Sequence, residues 1–137
     1  MRIFLDANIL FSAAKNDGAI RSLVARLIAA GHACWVDGYV IDEARRNILA
    51  KAPLGLTPLD ELLTRLHVSA VAPAVARAEV RGLPEKDRIV LAAAIALACD
   101  ILVTGDRTHF GAFYGRVVAG VRIHSPRSLY DQLFSKS

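Results

Sequence analysis

Apolar and polar positions recur along the chain with two different periods, and the points where one gives way to the other outline its elements. Arg2 to Leu5 is a short apolar run that stops at Asp6, and Asn8 suits the cap of a following helix, so the pattern predicts a strand and then a helix, with Asp6 at the strand's C-terminal end. From Ile20 to Ala30 the apolar residues Leu23, Val24, Leu27 and Ile28 share one helical face, Arg21 and Arg26 lie elsewhere, and Gly31 supplies a stop. His32 to Val36 predicts a second strand. Tyr39 to Ala50 repeats Val40, Ala44 and Ile48 at helical spacing and carries Glu43 in its first turns.

Leu54 to Pro58 contains Pro and Gly and predicts a connection, followed by a helix bearing Leu59, Leu62, Leu63 and Leu66 and a short strand around Val68 to Val71. Pro73 to Arg81 predicts a helix ending at Gly82. Pro84 opens another, where its missing N–H costs nothing, and places Asp87 in the first turn. Ile89 to Cys99 is apolar all round, which predicts a centrally packed helix. Ile101 to Val103 is the next strand, with Asp106 just beyond its end; a strand over Val121 to Ile123 and a helix over Ser128 to Phe134 complete the series. No repeat, low-complexity segment or linker interrupts it.

Strands alternating with helices imply an α/β fold, a three-layer sandwich in which helices flank a mostly parallel central sheet through right-handed crossovers. Ligands of such sheets bind beyond the carboxyl ends of the strands, where the strand order reverses. Asp6 and Asp106 belong at that edge.

A length of 137 residues suits one domain spanning 1–137 with a single core. Hydrophobic content of 54% against 22% charged residues, with a positive mean hydropathy, excludes a disordered chain. The apolar start MRIFL is broken by Asp6 and lacks a small-residue cleavage site, so it predicts mature protein and not a secretory leader. The longest uncharged stretch, Ile89 to Cys99, is far short of the ~20 residues that cross a bilayer, so no membrane span is expected. Cys34 and Cys99 lie in apolar contexts as small hydrophobes, away from any histidine at zinc-ligand spacing, and their low number fits a reducing cytoplasm. A net charge of +4 tilts the chain weakly towards an anionic partner.

The chemistry lies in four carboxylates at the ends of apolar runs: Asp6 in FLDAN, Glu43 in VIDEA, Asp87 in PEKDR and Asp106 in VTGDR. Two ionised carboxylates about 4 Å apart repel by roughly 4 kcal/mol at an effective dielectric of 20. Three or four together must keep protons or take up a divalent cation, and hard oxygen ligands suit Mg²⁺ or Mn²⁺. Such an ion can orient water, assist its deprotonation and stabilise charge on phosphate, which is hydrolytic phosphate chemistry.

FLDANIL, VIDEARRNIL and KDRIVLAAAIALACDILVTGDRTHF, in that order and with the α/β alternation, resemble the PIN-domain nucleases over nearly the whole chain. By that resemblance Asp6, Glu43, Asp87 and Asp106 correspond to the acidic quartet that binds Mg²⁺ or Mn²⁺ for cleavage of single-stranded RNA, with Asn8 and Thr104 as supporting polar positions. The compact length is similar to the toxin ribonucleases of VapC-type toxin–antitoxin pairs, which implies a small antitoxin partner and a homodimer. Arg45, Arg46, Lys86, Arg88 and Arg107 flank the acids and can contact phosphates, though a solvated face explains each equally well.

Blander roles stand beside these. Asp6 and Asn8 suit helix caps, Asp87 a helix N-terminus, Glu43 and its neighbour Asp42 a solvated surface, and Asp100 the end of a helix. The histidines are scattered, and only His109, close after Asp106, can approach substrate. A haloacid-dehalogenase-like phosphatase also places an Asp after its first strand, but Asn8 stands where its second acid belongs and Phe110 where a late acid belongs. A non-catalytic receiver-like module needs a phosphorylatable Asp after its middle strand and a late Lys, and neither is evident.

Overall fold

The computed structural model describes residues 1–70 and 82–135. A sheet of six strands runs in the order β3-β2-β1-β4-β6-β5, where β1 is Arg2–Leu5, β2 Ala33–Asp37, β3 His67–Ser69, β4 Ile101–Val103, β5 Val117–Val118 and β6 Val121–His124. Every neighbouring pair is parallel except the β5–β6 hairpin. Consecutive residues Ile3, Phe4 and Leu5 are wholly buried, as are Leu102 and Val103, although successive strand side chains point to opposite faces. Both faces of the sheet's centre are therefore covered, which is why these strands read as unbroken apolar runs.

The cover comes from helices α1 (Ala7–Lys15), α2 (Ala19–Ala29), α3 (Gly38–Lys51), α4 (Leu56–Leu63), α5 (Glu85–Ala96), α6 (Arg107–Phe110) and α7 (Pro126–Phe134). α1 packs against α2, α3 and α4, α5 against β4, and α7 against β6 and α2. The predicted three-layer α/β sandwich is the architecture observed. No helix among the described residues is long and apolar enough to cross a membrane.

Local chemistry sets the boundaries. α2 stops where Gly31 adopts φ +87, a left-handed conformation that glycine takes without penalty. α5 begins after Pro84 and puts Asp87 in its first turn, as expected. It is less central than its composition suggests: Val90, Leu91, Ala93 and Ala94 are buried, but the helix ends at Ala96 and both Ala96 and Ala98 are exposed. The segment predicted as a connection, Leu54 to Pro58, is instead helical, a 3₁₀ turn over Pro53–Gly55 running into α4. Pro58 lies in the first turn of α4, where its lack of an N–H breaks no helical hydrogen bond. The last helix also starts earlier than Ser128, because Ser125 caps it through a reciprocal capping box with Ser128. The helix predicted over Pro73 to Arg81 and the end of the strand predicted to reach Val71 lie outside the described residues.

The parallel topology aligns the C-terminal ends of the strands. Leu5 pairs with Val103, and Val103 with His124. Residues immediately after β1 and β4 thus sit side by side where the chain's excursions diverge, towards β2 and β3 on one side and β6 on the other.

Candidate functional site

Asp6 is the first residue beyond β1 and the N-cap of α1, its Oδ1 accepting from the Ala7 N–H at 2.7 Å. Capping therefore belongs to Asp6, and Asn8 is free for another task. Its Nδ2 donates to Asp6 Oδ2 and to Thr104 Oγ1, both at 3.3 Å, while its Oδ1 accepts from the Gly105 N–H at 2.8 Å. Thr104, the first residue beyond β4, is fully buried and donates its hydroxyl to Asp6 Oδ2 at 2.8 Å. Thr104 Oγ1 also accepts from the Asp106 N–H at 3.2 Å, so one hydroxyl ties two strand ends and two acids together. From below, the Tyr114 hydroxyl donates to the Thr104 carbonyl at 2.8 Å.

Asp106 caps α6, with Oδ1 accepting from the His109 N–H at 3.1 Å. One turn of helix brings the side chain of His109 back over its own cap, and Nδ1 reaches Asp106 Oδ2 at 2.7 Å. The same nitrogen lies 3.0 Å from Oδ2 of Asp87. Asp87 is only 4% exposed, and its Oδ2 has no hydrogen-bond partner. Donor atoms of Asp87, Asp106 and His109 all fall within 4.8 Å of one another, a spacing that one metal ion can span.

The electrostatics join these acids to the rest of the predicted quartet. Burial pushes the Asp6 carboxyl up to about 6, against the hydrogen bonds from Thr104 and Ala7 that favour its charged form, and the charges of Glu43 and Asp87 push it the same way. Burial also raises Asp87; His109 and Lys86 oppose the rise, while Asp106 and Glu43 add to it. Glu43, half-buried on α3, lies outside the tight trio but within the same field. Tyr39, on the same helix, is raised by burial first and by Glu43 and Asp87 after it.

The flanking cations divide. Arg45 is engaged with Asp60 at 2.8 Å, and Arg88 is half-buried with an unpartnered Nε. Arg46, Lys86 and Arg107 are exposed, and their charges reach Tyr39, Asp87 and Tyr114. Asp100 is at the opposite end of the sheet, accepting from the Arg2 N–H at 2.9 Å, and has no part in the site. Asp37, which the sequence pattern did not single out, is a buried N-cap of α3 whose side chain accepts from Val40 N–H. His109 is the site residue most easily missed; the signal for it was its place three residues after a capping acid.

Solved structures similar to the chain include VapBC2 from Rickettsia felis bound to a DNA fragment from its promoter, with a TM-score of 0.68 and 17% identity over 91% of this chain and 98% of the other. DNA-bound VapBC from Salmonella typhimurium gives 0.67 and 17% over 92% and 98%. Mycobacterium tuberculosis VapC20, a toxin that cleaves the sarcin-ricin loop, gives 0.60 and 14% over 80% and 94%. At these identities the likeness is one of fold. No curated protein matches the chain. A PIN domain model, however, matches residues 2–108, from the first residue of β1 into α6 and so across every acid described above, and the chain belongs to the PIN domain family.

Proposed function

We propose that the protein is a metal-dependent endoribonuclease that hydrolyses phosphodiester bonds of single-stranded RNA, with Asp6, Glu43, Asp87 and Asp106 holding Mg²⁺ or Mn²⁺. The observation that carries this reading is the buried, unpartnered Oδ2 of Asp87, facing Asp106 and sharing a field with Asp6 and Glu43. A carboxylate oxygen withdrawn from water and left without a hydrogen bond is costly, and a divalent cation compensates it. The donor set therefore fits a metal. When bound, the ion supplies an electrophile that activates water and offsets charge growing on the phosphate.

The chain's own residues do the rest. Thr104 and Asn8 hold Asp6 in one orientation, Tyr114 braces Thr104, and the Asp106 cap sets the direction of α6. Arg46, Lys86 and Arg107 are the exposed cations placed to receive backbone phosphates; Arg88 stands beside them, and Arg45 joins them on leaving Asp60. We further propose one domain over 1–137, a cytoplasmic location, assembly as a homodimer, and pairing with a small antitoxin that blocks the site. The VapBC likeness and the PIN domain membership support the antitoxin.

The test is cleavage of mixed single-stranded RNAs with Mn²⁺, with Asp87→Asn as control. Wild type cuts and the variant does not, while circular dichroism shows both folded. Equal rates from the two proteins end the reading. Co-expression with any small reading frame found immediately upstream of the gene tests the antitoxin, which suppresses cleavage if the pairing is right.

A further inference from the structure

We infer that His109 is itself a ligand of the ion, through Nδ1, and that the centre consequently prefers a first-row transition ion to Mg²⁺. The inference rests on the reading that the acids hold a metal, and adds a nitrogen donor that the acidic quartet does not contain.

Three observations lead to it. First, the position of His109 is built into the backbone: Asp106 caps α6 by accepting from His109's own N–H at 3.1 Å, and residues so related fold their side chains back towards the cap. The imidazole is aimed at Asp106 by local geometry and needs no ion to place it. Second, Nδ1 stands 2.7 Å from Asp106 Oδ2 and 3.0 Å from Asp87 Oδ2. An octahedral ion with bonds of about 2.1 Å holds adjacent donors about 3 Å apart, so these atoms already have the separation of neighbouring corners around one ion. Third, Asp87 is 4% exposed and its Oδ2 makes no hydrogen bond although Nδ1 of His109 is 3.0 Å away, so an ion taken up among the three donors meets a buried oxygen whose bonding capacity is unused. An acidic group at a surface does none of this.

The kind of ion follows from the donors. Carboxylates alone suit Mg²⁺, which demands hard oxygen ligands and keeps much of its water; imidazole nitrogen suits iron, nickel, copper and zinc, and Mn²⁺, next below iron in that series, accepts it more readily than Mg²⁺ does. Replacing one oxygen corner by Nδ1 penalises Mg²⁺ relative to those ions. Among the described histidines only His109 reaches the acids: His32 contacts the N-terminus, His67 stacks on Trp35 and His124 bonds Ser128.

Mn²⁺ alone is the probe, since its unpaired electrons report directly bonded nitrogen. Electron spin-echo spectra of the full chain loaded with Mn²⁺ are recorded for wild type, His109→Asp and Asp87→Asn, and Mn²⁺ and Mg²⁺ dissociation constants are measured for each. Wild type is expected to show nitrogen modulation, and His109→Asp to lose it and to narrow the Mn²⁺-over-Mg²⁺ preference by about tenfold or more. Bound Mn²⁺ without nitrogen modulation in wild type overturns the inference, as does an unchanged preference in His109→Asp or Mn²⁺ binding indifferent to Asp87→Asn. RNA cleavage by the same preparations separates the two readings. Nitrogen-coupled Mn²⁺ in a protein that cuts no RNA supports the ligand and ends the nuclease, whereas cleavage without the coupling ends the ligand and leaves the nuclease standing.

Discussion

Replacing Asp6 with Asn measures the repulsion the fold carries at this edge of the sheet. Burial, with Glu43 and Asp87 behind it, holds the Asp6 carboxyl at about 6 in place of 3.8. The native state thus binds this proton more tightly than the unfolded chain does. Its contribution to stability is present in full below the unfolded value of 3.8 and is lost as pH rises through about 6. At roughly 1.4 kcal/mol for each tenfold change in proton affinity, the loss reaches about 3 kcal/mol by neutral pH. Asn is neutral throughout and keeps an oxygen for the Ala7 N–H, but its amide meets the Asn8 amide that Asp6 Oδ2 accepts from at 3.3 Å. That mismatch costs about 1 kcal/mol. In urea denaturation with a chelator present, Asp6→Asn is therefore more stable than wild type by about 2 kcal/mol near neutral pH, and less stable by about 1 kcal/mol near pH 4. Asp37 and Asp87, both raised by burial, give the two proteins a common background slope of the same sign. Curves that run parallel across this range refute the burial-and-repulsion account of Asp6.

Thr104→Val removes the hydroxyl that serves Asp6, Asn8 and Asp106 at a fully buried position, and costs about 2–3 kcal/mol in the same assay, whereas Thr104→Ser stays near wild type. Loss of that donor also lifts the Asp6 carboxyl further, so the valine variant loses more stability than wild type between acid and neutral pH. Ala98→Gly stabilises by about 0.5–1 kcal/mol, because Ala98, just past the C-cap of α5, has φ 54 while its N–H bonds the Ile95 carbonyl at 3.0 Å, a conformation glycine adopts without strain. Thermal unfolding checks it, and a lower midpoint for the variant contradicts it.

The parts of the fold that the sequence disclosed are those where burial dictates composition. β1 and β4 are apolar runs because both faces of the sheet's centre are covered, and each ends where a polar residue, Asp6 or Thr104, meets the open edge. Their adjacency needed only the rule that parallel strands present their C-terminal ends together. What escaped notice is short or local. The stretch from Arg107 to Val118 folds as one helical turn, a 3₁₀ turn and a two-residue strand, none long enough to show a period. Leu54 to Pro58 looked like a connection because Pro and Gly mark both loops and first turns. Asn8 and Asp6 compete for one cap, and composition does not say which wins; the outcome leaves Asn8 bridging β1 to β4. His109 was legible only as a residue three beyond an acid, since its meeting with Asp87 depends on how α5 docks on β4.

Asp6 and Asp87 show how one site can contain two kinds of acid. Every bond that steadies Asp6 comes from the protein: a helix N–H on one oxygen, a hydroxyl and an amide on the other. Its orientation is fixed before any ion arrives, and its raised proton affinity reflects what remains after those bonds have been made. Asp87 is as deeply buried, yet one of its oxygens has no hydrogen bond and faces a histidine committed to Asp106. A cation entering between them meets one carboxylate already held in place and another whose charge His109 and Lys86 offset only in part. The first makes the geometry precise and the second makes occupancy favourable. Exchanging the two environments would forfeit both, since an unbraced Asp6 would drift from β4 and a fully bonded Asp87 would have less to gain from the ion.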